Sequence, residues 1–562
     1  MLAHKSDNRI VVGPSEPVEP EERGLNSYTL TVLFTAIMGG LVFGLDIGTT
    51  AVLSMDYFRT AMEIPIMQPG AEDSIDVTNQ LSLFAVLFHV SSLVGAPFAG
   101  QISDKYGRKL VIIIAATLFL AGAVWQSCAG LISQDFAWAS ILLGRVVGGF
   151  GNGFILTIMP VYASELSPAK YRGQTVTFFQ LSITAGIFIM ALANNFLDEF
   201  VWGWRLAFVL QAFPCALILI LALVVLPESP RYLLLVDKEE SARVALNKLA
   251  KGCPNQTAIV DAEVSAAMEE IERIKSVEEG TFLDLFRGEG YAPFLCGFMV
   301  ALSQNVTGVN WFMNYATTIF DSLGYNKFAM DLVLKSLNMV ATIAAIFVVE
   351  KGGRKFLTVW GTLSVIVIFS LVALVIVATG VDVFSTTGDS QTSSVQLFTM
   401  IMIFIFQIVF AISWGPLGWI VPGEVFPMRL RGKGMAMCVV ANMLTNIALG
   451  DYGFQALKVA TSLQFTVFIL VVMNVVIVLT TVVFLQPETK GVSLEDMRHV
   501  FAYERGGSEQ RGTMSQFFKK NWIQTLRILS FRGNDPKTEI LLMENETLLI
   551  GHRAHLTGHR AL

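Results

Sequence analysis

The sequence predicts an all-α membrane protein whose twelve transmembrane helices form two related six-helix bundles. The first observation is composition: of 562 residues, 53% are hydrophobic and 15% are charged, and the mean hydropathy is +0.59. The second is a series of apolar runs, each close to the ~20 residues that cross a bilayer as a helix. The third is an internal repeat, since loop motifs of the first half of the chain recur in the second.

Twelve apolar runs are candidate spans, and 81–102 and 332–349 are the shortest or most polar of them. The amino terminus is polar through residue 27, so we expect no cleavable signal peptide, and the first span then has to direct insertion. In chain order the predicted spans are about 30–55, 81–102, 110–131, 138–163, 175–197, 205–226, 292–320, 332–349, 356–380, 396–422, 434–458 and 464–485.

Three loop motifs occur once in each half of the chain. DKYGRK at 104–109 recurs as EKGGRK at 350–355, ELSPAKYRG at 165–173 as EVFPMRLRG at 424–432, and PESPR at 227–231 as PETKG at 487–491. Each pair falls at the same loop of a six-span unit. Because six is an even number, both units enter the membrane from the same side. Such parallel repeats enclose a site near the midplane and rock against each other.

Basic residues cluster in the loops that follow even-numbered spans. The loop at 56–80, which follows the first span, instead carries five acidic residues and a single arginine. The positive-inside rule therefore predicts that the basic loops, both termini and the polar segment between the halves are cytoplasmic. The basic residues are Lys105, Arg108, Lys109, Lys170, Arg172, Lys351, Arg354, Lys355, Arg429, Arg431 and Lys433.

These observations divide the chain into five regions. The segment between the halves contains two amphipathic helical patterns, SARVALNKLA and VDAEVSAAMEEIERIKS. In the tail, SQFFKKNWIQTLRILSFRG fits either a basic helix at the membrane surface or a disordered segment. The regions are a cytoplasmic N-terminal tail at 1–27, a first six-helix bundle at 28–226, a cytoplasmic linker at 227–291, a second six-helix bundle at 292–485 and a cytoplasmic C-terminal tail at 486–562.

Several function classes have no support in the sequence. The net charge is −6 and no basic run indicates nucleic acid. The five cysteines are scattered, with neither a metal-binding spacing nor a paired framework. No nucleophile–base pair, metal cluster or phosphate loop indicates an enzyme or a cofactor. The glycines of GGFGNG indicate close helix packing rather than a nucleotide site.

Acidic residues recur together with the basic ones at these loops, although topology requires only the basic ones. Asp104 and Glu350 adjoin basic turns, and Glu165 and Glu424 each precede an arginine by six intervening residues. These spacings suit ion pairs among helix ends. We expect a cytoplasmic gate that forms when this face closes and breaks when it opens, made of Asp104, Arg108, Glu165, Arg172, Glu350, Arg354, Glu424 and Arg431.

Asp46 lies inside the first apolar run, in GGLVFGLDIGTTAV. A carboxylate near a helix centre costs several kcal/mol, so it is expected to be protonated, paired or facing a water-filled cavity. Arg145 in the fourth span is a possible partner. If their distance changes with conformation, so does the proton affinity of Asp46, as a proton symporter requires. The alternative is a permanent buried ion pair. His89 is a second titratable candidate, for which a buried neutral imidazole is the favoured interpretation.

Amide side chains inside apolar spans form the second informative group. Asn and Gln both donate and accept hydrogen bonds without charge, which suits the hydroxyls of a neutral sugar. An aromatic face covers the apolar C–H side of a sugar ring. Hydrogen bonding between helices is the alternative for any single amide. The candidates are Gln180, Gln304, Asn305, Asn310, Asn338, Asn442, Asn446 and, as the aromatic residue, Trp419.

The motifs together resemble the sugar porter family of the major facilitator superfamily, over about residues 28–498. Within it the chain is most similar to the proton-coupled hexose symporters of plants, fungi and protists. The resemblance implies the twelve-helix major facilitator fold. The motifs that carry it are GQISDKYGRK, GRVVGGFGNGF, VYASELSPAKYRG, PESPRYLL, QNVTGVN, VVEKGGRK, GPLGWIVPGEVFPMRLRG and PETKG.

The resemblance also implies roles for individual residues. It makes Asp46 the proton site and Arg145 its modulator, whereas the family's uniporters have a neutral residue at the position of Asp46. Asn305 stands where a second glutamine is usual, and Asn314 where Phe or Tyr is common, so the identity of the sugar is open. The implied sugar-contacting residues are Gln180, Gln304, Asn310, Asn338, Trp419 and Asn442.

The function predicted from these observations is import of a monosaccharide, such as the hexose glucose, together with one proton, by alternating access. The predicted partners are the sugar, the proton and the bilayer, and the plasma membrane is the default location, with a vacuolar or endosomal membrane as the alternative. Alternative functions are a uniporter, a polyol, pentose or disaccharide transporter of the same fold, and a transporter-like sugar sensor.

Overall fold

A computed structural model of the chain describes residues 23–66, 75–131, 134–168, 171–275, 281–310, 313, 320, 327–380, 390–427, 430–451, 463–490, 492, 497–501, 503–505, 508–510 and 514–529. The described chain is almost wholly helical. Its one sheet, within those ranges, is an antiparallel hairpin of two short strands, β1 (Tyr503–Arg505) and β2 (Ser508–Gln510), in the C-terminal tail.

The first half is built from six long helices and one short one. Glycines bring the long helices together: a Cβ at Gly151 would lie 2.7 Å from the backbone nitrogen of Phe119. This is the close packing expected of the GGFGNG glycines. The helices are α1 (Ser27–Thr49), the short α2 (Asp56–Ala61), α3 (Ile75–Tyr106), α4 (Arg108–Ser127), α5 (Ala137–Leu166), α6 (Arg172–Leu197) and α7 (Gly203–Val224).

Three linker helices follow, α8 (Pro230–Leu235), α9 (Glu239–Leu249) and α10 (Gln256–Lys275). Their apolar faces pack into a small core of their own. Asn26 joins this unit to the first bundle, because its side chain caps α1 through the N–H of Thr29 at 2.7 Å and donates to the carbonyl of Leu249 at 2.7 Å. The linker therefore rests on the beginning of α1.

The second half repeats the arrangement with more breaks. The helix Arg431–Thr445 continues as a π-helical turn, Asn446–Asp451, and the helix Leu463–Met473 continues through Asn474–Leu479 and Thr481–Leu485. Two tail helices follow. The helices are α11 (Tyr291–Val306), α12 (Lys327–Gly352), α13 (Arg354–Thr379), α14 (Ser390–Ile412), α15 (Trp414–Val425), α16 (Arg431–Thr445), α17 (Leu463–Met473), α18 (Met497–Phe501) and α19 (Met514–Leu529).

Eleven helical runs in the described ranges are long and apolar enough to cross a membrane, and each coincides with a predicted span. The seventh predicted span, 292–320, differs. Helix α11 ends at Val306 after 16 residues, and Gly308 has a φ of +96° that a helix cannot accommodate. Residues 314–319 and 321–326 lie outside the described part of the chain. The tenth predicted span is interrupted at Ser413, which separates α14 from α15.

Helix α19 packs on the second bundle. Asn521 donates to the carbonyl of Phe484 at 3.0 Å, and its own carbonyl accepts from Nζ of Lys355 at 2.6 Å. The rings of Trp522 and Phe484 stack at 5.6 Å. The amphipathic stretch of the tail is thus a helix that buries one face against protein. We call the end of the bundle that carries Lys355 and the repeated basic motifs the basic end, and the opposite end the acidic end.

Candidate functional site

A cavity lies between the two halves. Every residue that the sequence predicts for proton coupling or ligand binding lines it. The first half contributes them from α1, α3, α5 and α6, and the second from α11 and the residues just after it, α12, α15, and α16 with its π-helical turn. The predicted residues that the structure brings together here are Asp46, His89, Arg145, Gln180, Gln304, Asn305, Asn310, Asn338, Trp419, Asn442 and Asn446.

Asp46 and Arg145 form a buried ion pair at the first-half wall of this cavity. Nη2 of Arg145 donates to one carboxylate oxygen of Asp46 at 3.2 Å, and Nη1 donates to the other. The two side chains are only 3% and 1% exposed. Such a bidentate pair is strong and geometrically specific. The only charged pair among the described lining residues therefore belongs to the first half.

Helix α3 fixes the orientation of the Arg145 guanidinium. Its Nε donates to the carbonyl of Phe84 at 3.0 Å, and the rings of Phe84 and Phe88 both lie 4.1 Å from the guanidinium carbon. The two phenylalanines are four residues apart, so they share one helix face. His89 is the next residue, half-buried and lining the cavity, with its ring edge-on to Phe88.

The second-half wall is a network of neutral amides. Gln304 donates to the carbonyl of Gly415 at 2.9 Å and accepts from Nδ2 of Asn442 at 3.0 Å. Asn305 donates to the carbonyl of Asn442 at 2.9 Å, and Asn310 donates to Oδ1 of Asn305 at 2.9 Å. The network holds side chains from α11, from the residues just after it and from α16 in fixed positions, and it places both donors and acceptors at the cavity wall.

Two amide oxygens of the cavity have unused hydrogen-bonding capacity. Oε1 of Gln180 and Oδ1 of Asn338 are buried, and no described residue donates to either. A buried acceptor without a donor is unfavourable by about 1–3 kcal/mol, so a ligand hydroxyl placed there would be stabilised. Trp419 is 4% exposed and contacts the edge of Phe179, and its ring forms an apolar part of the wall.

The break before α15 brings the backbone close to these amides. The carbonyl groups of Trp414 and Gly415 both accept from Nε2 of Gln304, at 3.2 and 2.9 Å. Gly418 is required by the same approach, because a Cβ at this position would lie 2.8 Å from Cγ of Gln304. The GPLGW motif therefore serves the position of Gln304 as well as that of Trp419.

The cavity also has lining residues that the sequence analysis did not assign. Thr184 and Ile187 lie four and seven residues after Gln180 on α6, so the helical period starting at Gln180 would have found both. Phe43 and Ile183 carry no polar signal that distinguishes them from ordinary core residues. The unassigned lining residues are Phe43, Ile47, Thr50, Ala85, Ile183, Thr184, Ile187, Val309, Met313 and Phe410.

At the basic end, the predicted gate residues form one matching cluster in each half. Arg108 donates from Nε and Nη2 to Glu165 at 3.1 and 3.0 Å, and Ser229 donates to the same carboxylate at 2.6 Å. In the second half, Arg354 donates to Glu424 at 3.1 Å and Thr489 donates to it at 2.7 Å. Each cluster joins helices of its own half, and the charge of Arg431 in the second half attracts the Glu165 carboxylate in the first.

An ion pair between Asp104 and Lys433 also joins the two halves at this end. Nζ of Lys433 lies 2.6 Å from a carboxylate oxygen of Asp104, and α3 and α16 approach closely there, since a Cβ at Gly100 would lie 2.9 Å from the carbonyl of Gly432. Arg431 is buried and donates to the carbonyl of Phe426 at 3.3 Å. The side chains of the remaining gate residues, Arg172 and Glu350, lie outside the described part of the structure.

The glutamate of the PES motif and the glutamate of the PET motif each cap the beginning of a helix. Glu228 accepts from the backbone N–H of Arg108 at 2.8 Å, and Glu488 accepts from that of Arg354 at 2.8 Å. Burial raises the pKa of the Glu228 carboxyl above its ordinary value, and the backbone hydrogen bonds only partly offset this. The PES and PET motifs thus fasten the ends of α4 and α13.

Comparison with known proteins gives three consistent findings. A profile described as "Sugar (and other) transporter" matches residues 32–501. H(+)/hexose cotransporter 2 of Parachlorella kessleri is 34% identical over 494 residues, covering 85% of this chain and 87% of that protein. Sugar transport protein 1 of Arabidopsis thaliana is 32% identical over 508 residues, covering 87% and 92%.

Solved structures show the same fold. The proton:xylose symporter XylE of the major facilitator superfamily, bound to 6-bromo-6-deoxy-D-glucose, superposes with a TM-score of 0.72 at 24% identity, covering 84% of this chain and 99% of that one. The predicted twelve-helix major facilitator fold is confirmed, and the protein is a multi-pass integral membrane protein.

Proposed function

The chain belongs to the sugar transporter family, and from that premise we propose that it imports a monosaccharide, most simply a hexose such as glucose, together with a proton. The observation that carries the proposal is the composition of one cavity. A single carboxylate–guanidinium pair, Asp46 with Arg145, faces a wall of neutral amides. The relatives named above include a proton–hexose cotransporter, which supports the same combination of ligands.

Asp46 is the proposed proton site and Arg145 its modulator. When Arg145 holds both carboxylate oxygens, the ionised form of Asp46 is favoured, and when the guanidinium moves away, the protonated form is favoured. The pair joins α1 to α5, so a shift between these helices changes the proton affinity. His89 lines the same cavity and has no assigned step in this proposal.

The sugar is proposed to bind mainly to the second half. Gln304, Asn305, Asn310 and Asn442 offer preorganised donors and acceptors, while Asn338 supplies an acceptor that lacks a donor among the described residues. Gln180 completes the site from the first half, and Trp419 covers the apolar face of the ring. Neutral amides suit a neutral ligand because they carry no large desolvation penalty.

Alternating access then follows from rocking of the two halves. We propose that the basic end, both termini and the linker helices are cytoplasmic, that the acidic end faces outside, and that the protein resides in the plasma membrane. The Asp104–Lys433 contact and the close approach of α3 and α16 would separate when the basic end opens. The clusters around Glu165 and Glu424 would move with their own halves, and the attraction between Arg431 and Glu165 would weaken as the halves separate.

The test is uptake of labelled glucose by hexose-transport-deficient cells from pH 5 to 8, with and without a protonophore. Wild type should accumulate sugar above equilibrium in acid and lose this accumulation with the protonophore. Asp46→Asn should equilibrate sugar without accumulating it. Asp56→Asn, which removes an exposed carboxylate at the acidic end, is the matched control and should behave as wild type.

Uptake that is indifferent to pH and protonophore would reject proton coupling and identify a uniporter. Transport of polyols, pentoses or disaccharides in preference to hexoses would correct the substrate. A chain that transports no sugar yet alters a sugar response in cells would favour the sensor alternative.

A further inference from the structure

Helix α12 carries a second buried ion pair that the proposed mechanism does not use. Nζ of Lys335 lies 2.6 Å from Oδ2 of Asp331, four residues earlier on the same helix, and each residue is 4% exposed. Asp331 lies just outside the predicted span 332–349, but the structure buries it in the bundle. Ionisable residues at such positions are costly and are usually functional.

The pair lies on the same stripe of α12 as a cavity residue. Asp331, Lys335, Asn338 and Thr342 follow the helical period and are all buried, and Asn338 lines the cavity. Since α12 runs from the acidic end towards the basic end, Lys335 lies about one turn, ~5 Å, outward from Asn338. The ion pair is therefore placed between the cavity and the acidic end.

The pair has hydrogen-bonding capacity to spare. Oδ1 of Asp331 is buried, and within the described ranges nothing donates to it. An ammonium has three N–H donors, and the described contacts of Lys335 use one. Carboxylate and ammonium together accept from and donate to hydroxyl groups through charge-assisted bonds, which are about twice as strong as neutral ones.

A buried amide on the neighbouring helix lies at the same level. Gln407 of α14 is fully buried, and both of its amide atoms lack a partner among the described residues. It precedes Phe410, a cavity-lining residue, by three positions, so it lies one turn outward from the cavity just as Lys335 does. Helices α12 and α14 pack together. Lys335 and Gln407 thus lie at about the same level, and Asp331 lies one turn further outward on α12.

The pair is not suited to be a gate or a proton switch. Both members lie on one helix, so rocking of the halves does not separate them. The helices packed against α12 are α6, α13, α14 and α15, and their described charged residues, Arg354, Lys355 and Glu424, belong to the basic end. A proton on Asp331 would leave Lys335 as an uncompensated buried charge, which is strongly unfavourable.

We propose that Asp331, Lys335 and Gln407 form an outer subsite that binds the outward-facing hydroxyls of a sugar held at Asn338. A pyranose ring spans about one helical turn, so a ring whose inner edge meets Asn338 presents its outer hydroxyls at the level of Lys335. The subsite would raise sugar affinity and favour polyhydroxylated over deoxygenated substrates. This inference rests on the proposed function, because it deepens the description of the sugar site.

The experiment measures equilibrium binding of D-glucose and of each monodeoxyglucose to purified protein. The test variant is Asp331→Leu combined with Lys335→Met, which removes both charges together and so avoids a stranded ion. Ser336→Ala, on the same helix but with its hydroxyl bonded to the carbonyl of Leu332, is the control. The double variant should bind glucose roughly tenfold more weakly, while the control binds as wild type.

The deoxy sugars make the test specific. For the analogue that lacks the hydroxyl bound by the pair, wild type should lose affinity and the double variant should show no further loss. Wild-type affinity of the double variant for glucose and all analogues would overturn the proposal and leave the pair a self-neutralising structural element. Binding requires no proton gradient, so a failure of proton coupling is seen separately in the accumulation assay. Absence of hexose binding by wild type would reject both proposals.

Discussion

The two halves of the molecule are alike at the basic end and different at the cavity. Each half repeats an arginine, a glutamate and a hydroxyl residue: Arg108, Glu165 and Ser229 in the first half, and Arg354, Glu424 and Thr489 in the second. At the cavity the first half presents a charged pair and the second presents amides. The two halves therefore share the scaffold of the basic end and differ at the surface that faces the ligand. The first half supplies the charged pair, and the second supplies the amides that suit a neutral ligand.

Breaking the charged wall should have the largest effect. Arg145→Gln leaves the buried Asp46 carboxylate without its guanidinium, a change that costs about 3–5 kcal/mol when one partner of a buried pair is removed. We expect a strongly lowered melting temperature and no sugar accumulation. The double variant with Asp46→Asn should recover the melting temperature but not accumulation. Normal accumulation by Arg145→Gln would contradict the division between the halves.

Removing an amide from the second-half wall should weaken sugar binding and leave proton coupling intact. Gln304→Ala removes the acceptor of Asn442 and the donor to the carbonyls of Trp414 and Gly415. Leaving these groups unpaired costs about 1–3 kcal/mol of unfolding free energy. The sugar also loses its proposed hydrogen bonds to Gln304, so its affinity should fall roughly tenfold or more in a calorimetric titration. Accumulation at saturating sugar should still collapse with a protonophore. Gln126→Ala, a buried amide of α4 bonded within its own helix, is the control and should leave affinity unchanged.

A smaller change tests how the position of Gln304 in the amide wall is set. Gly418→Ala places a methyl group against the side chain of Gln304, whereas Gly423→Ala, in the same helix, meets nothing within 4 Å. We expect the first to lower sugar affinity several-fold, because Gln304 must shift from its carbonyl partners, and the second to have no effect. Equal affinities of the two variants would show that the position of Gln304 is not set by Gly418.

The smallest effects should come from the scaffold of the basic end that is repeated in the two halves. Ser229→Ala and Thr489→Val each remove one hydroxyl bond to a glutamate that retains its arginine, worth about 1 kcal/mol of unfolding free energy. Ser229 also caps α8, so its replacement should lower the melting temperature slightly more. Sugar affinity should not change in either variant. A large loss of affinity in only one would show that the two ends differ functionally.

The sequence located the apolar spans and the polar residues of the cavity, but it did not predict the partners of those residues or the apolar part of the cavity lining. Apolar length locates a span without regard to packing, and polar residues inside a span are rare enough to indicate the site. The break after α11 was missed, because the polar residues around Gly308 were interpreted as ligand-binding side chains of one continuous span, and the sequence does not show that the φ of this glycine is positive. The spacing of Glu165 to Arg172 predicted ion pairs among helix ends without naming their partners, and the described partner of the glutamate is Arg108 of a neighbouring helix.

Which side chains pair between two helices depends on how each helix is rotated about its axis and how deep it lies in the bundle. Neither property can be inferred from the local sequence of one helix. Lys433 shows the same limit: it was noted as a basic loop residue, and its contact with Asp104 connects the two halves. Asp331 and Lys335 are four residues apart in the sequence, at the beginning of a predicted span. Only the packing of the helices shows that both are buried.

The Asp46–Arg145 pair has an electrical consequence. With Asp46 ionised, the pair carries no net charge, and with a proton bound it carries one positive charge. Moving one charge through the membrane field changes the free energy by ~2.3 kcal/mol per 100 mV. We therefore expect a negative-inside potential to accelerate the inward reorientation of the protein that carries sugar and proton. The return of the empty protein should be nearly unaffected. Sugar-evoked current should rise with hyperpolarisation until the return step limits it, and then reach a plateau.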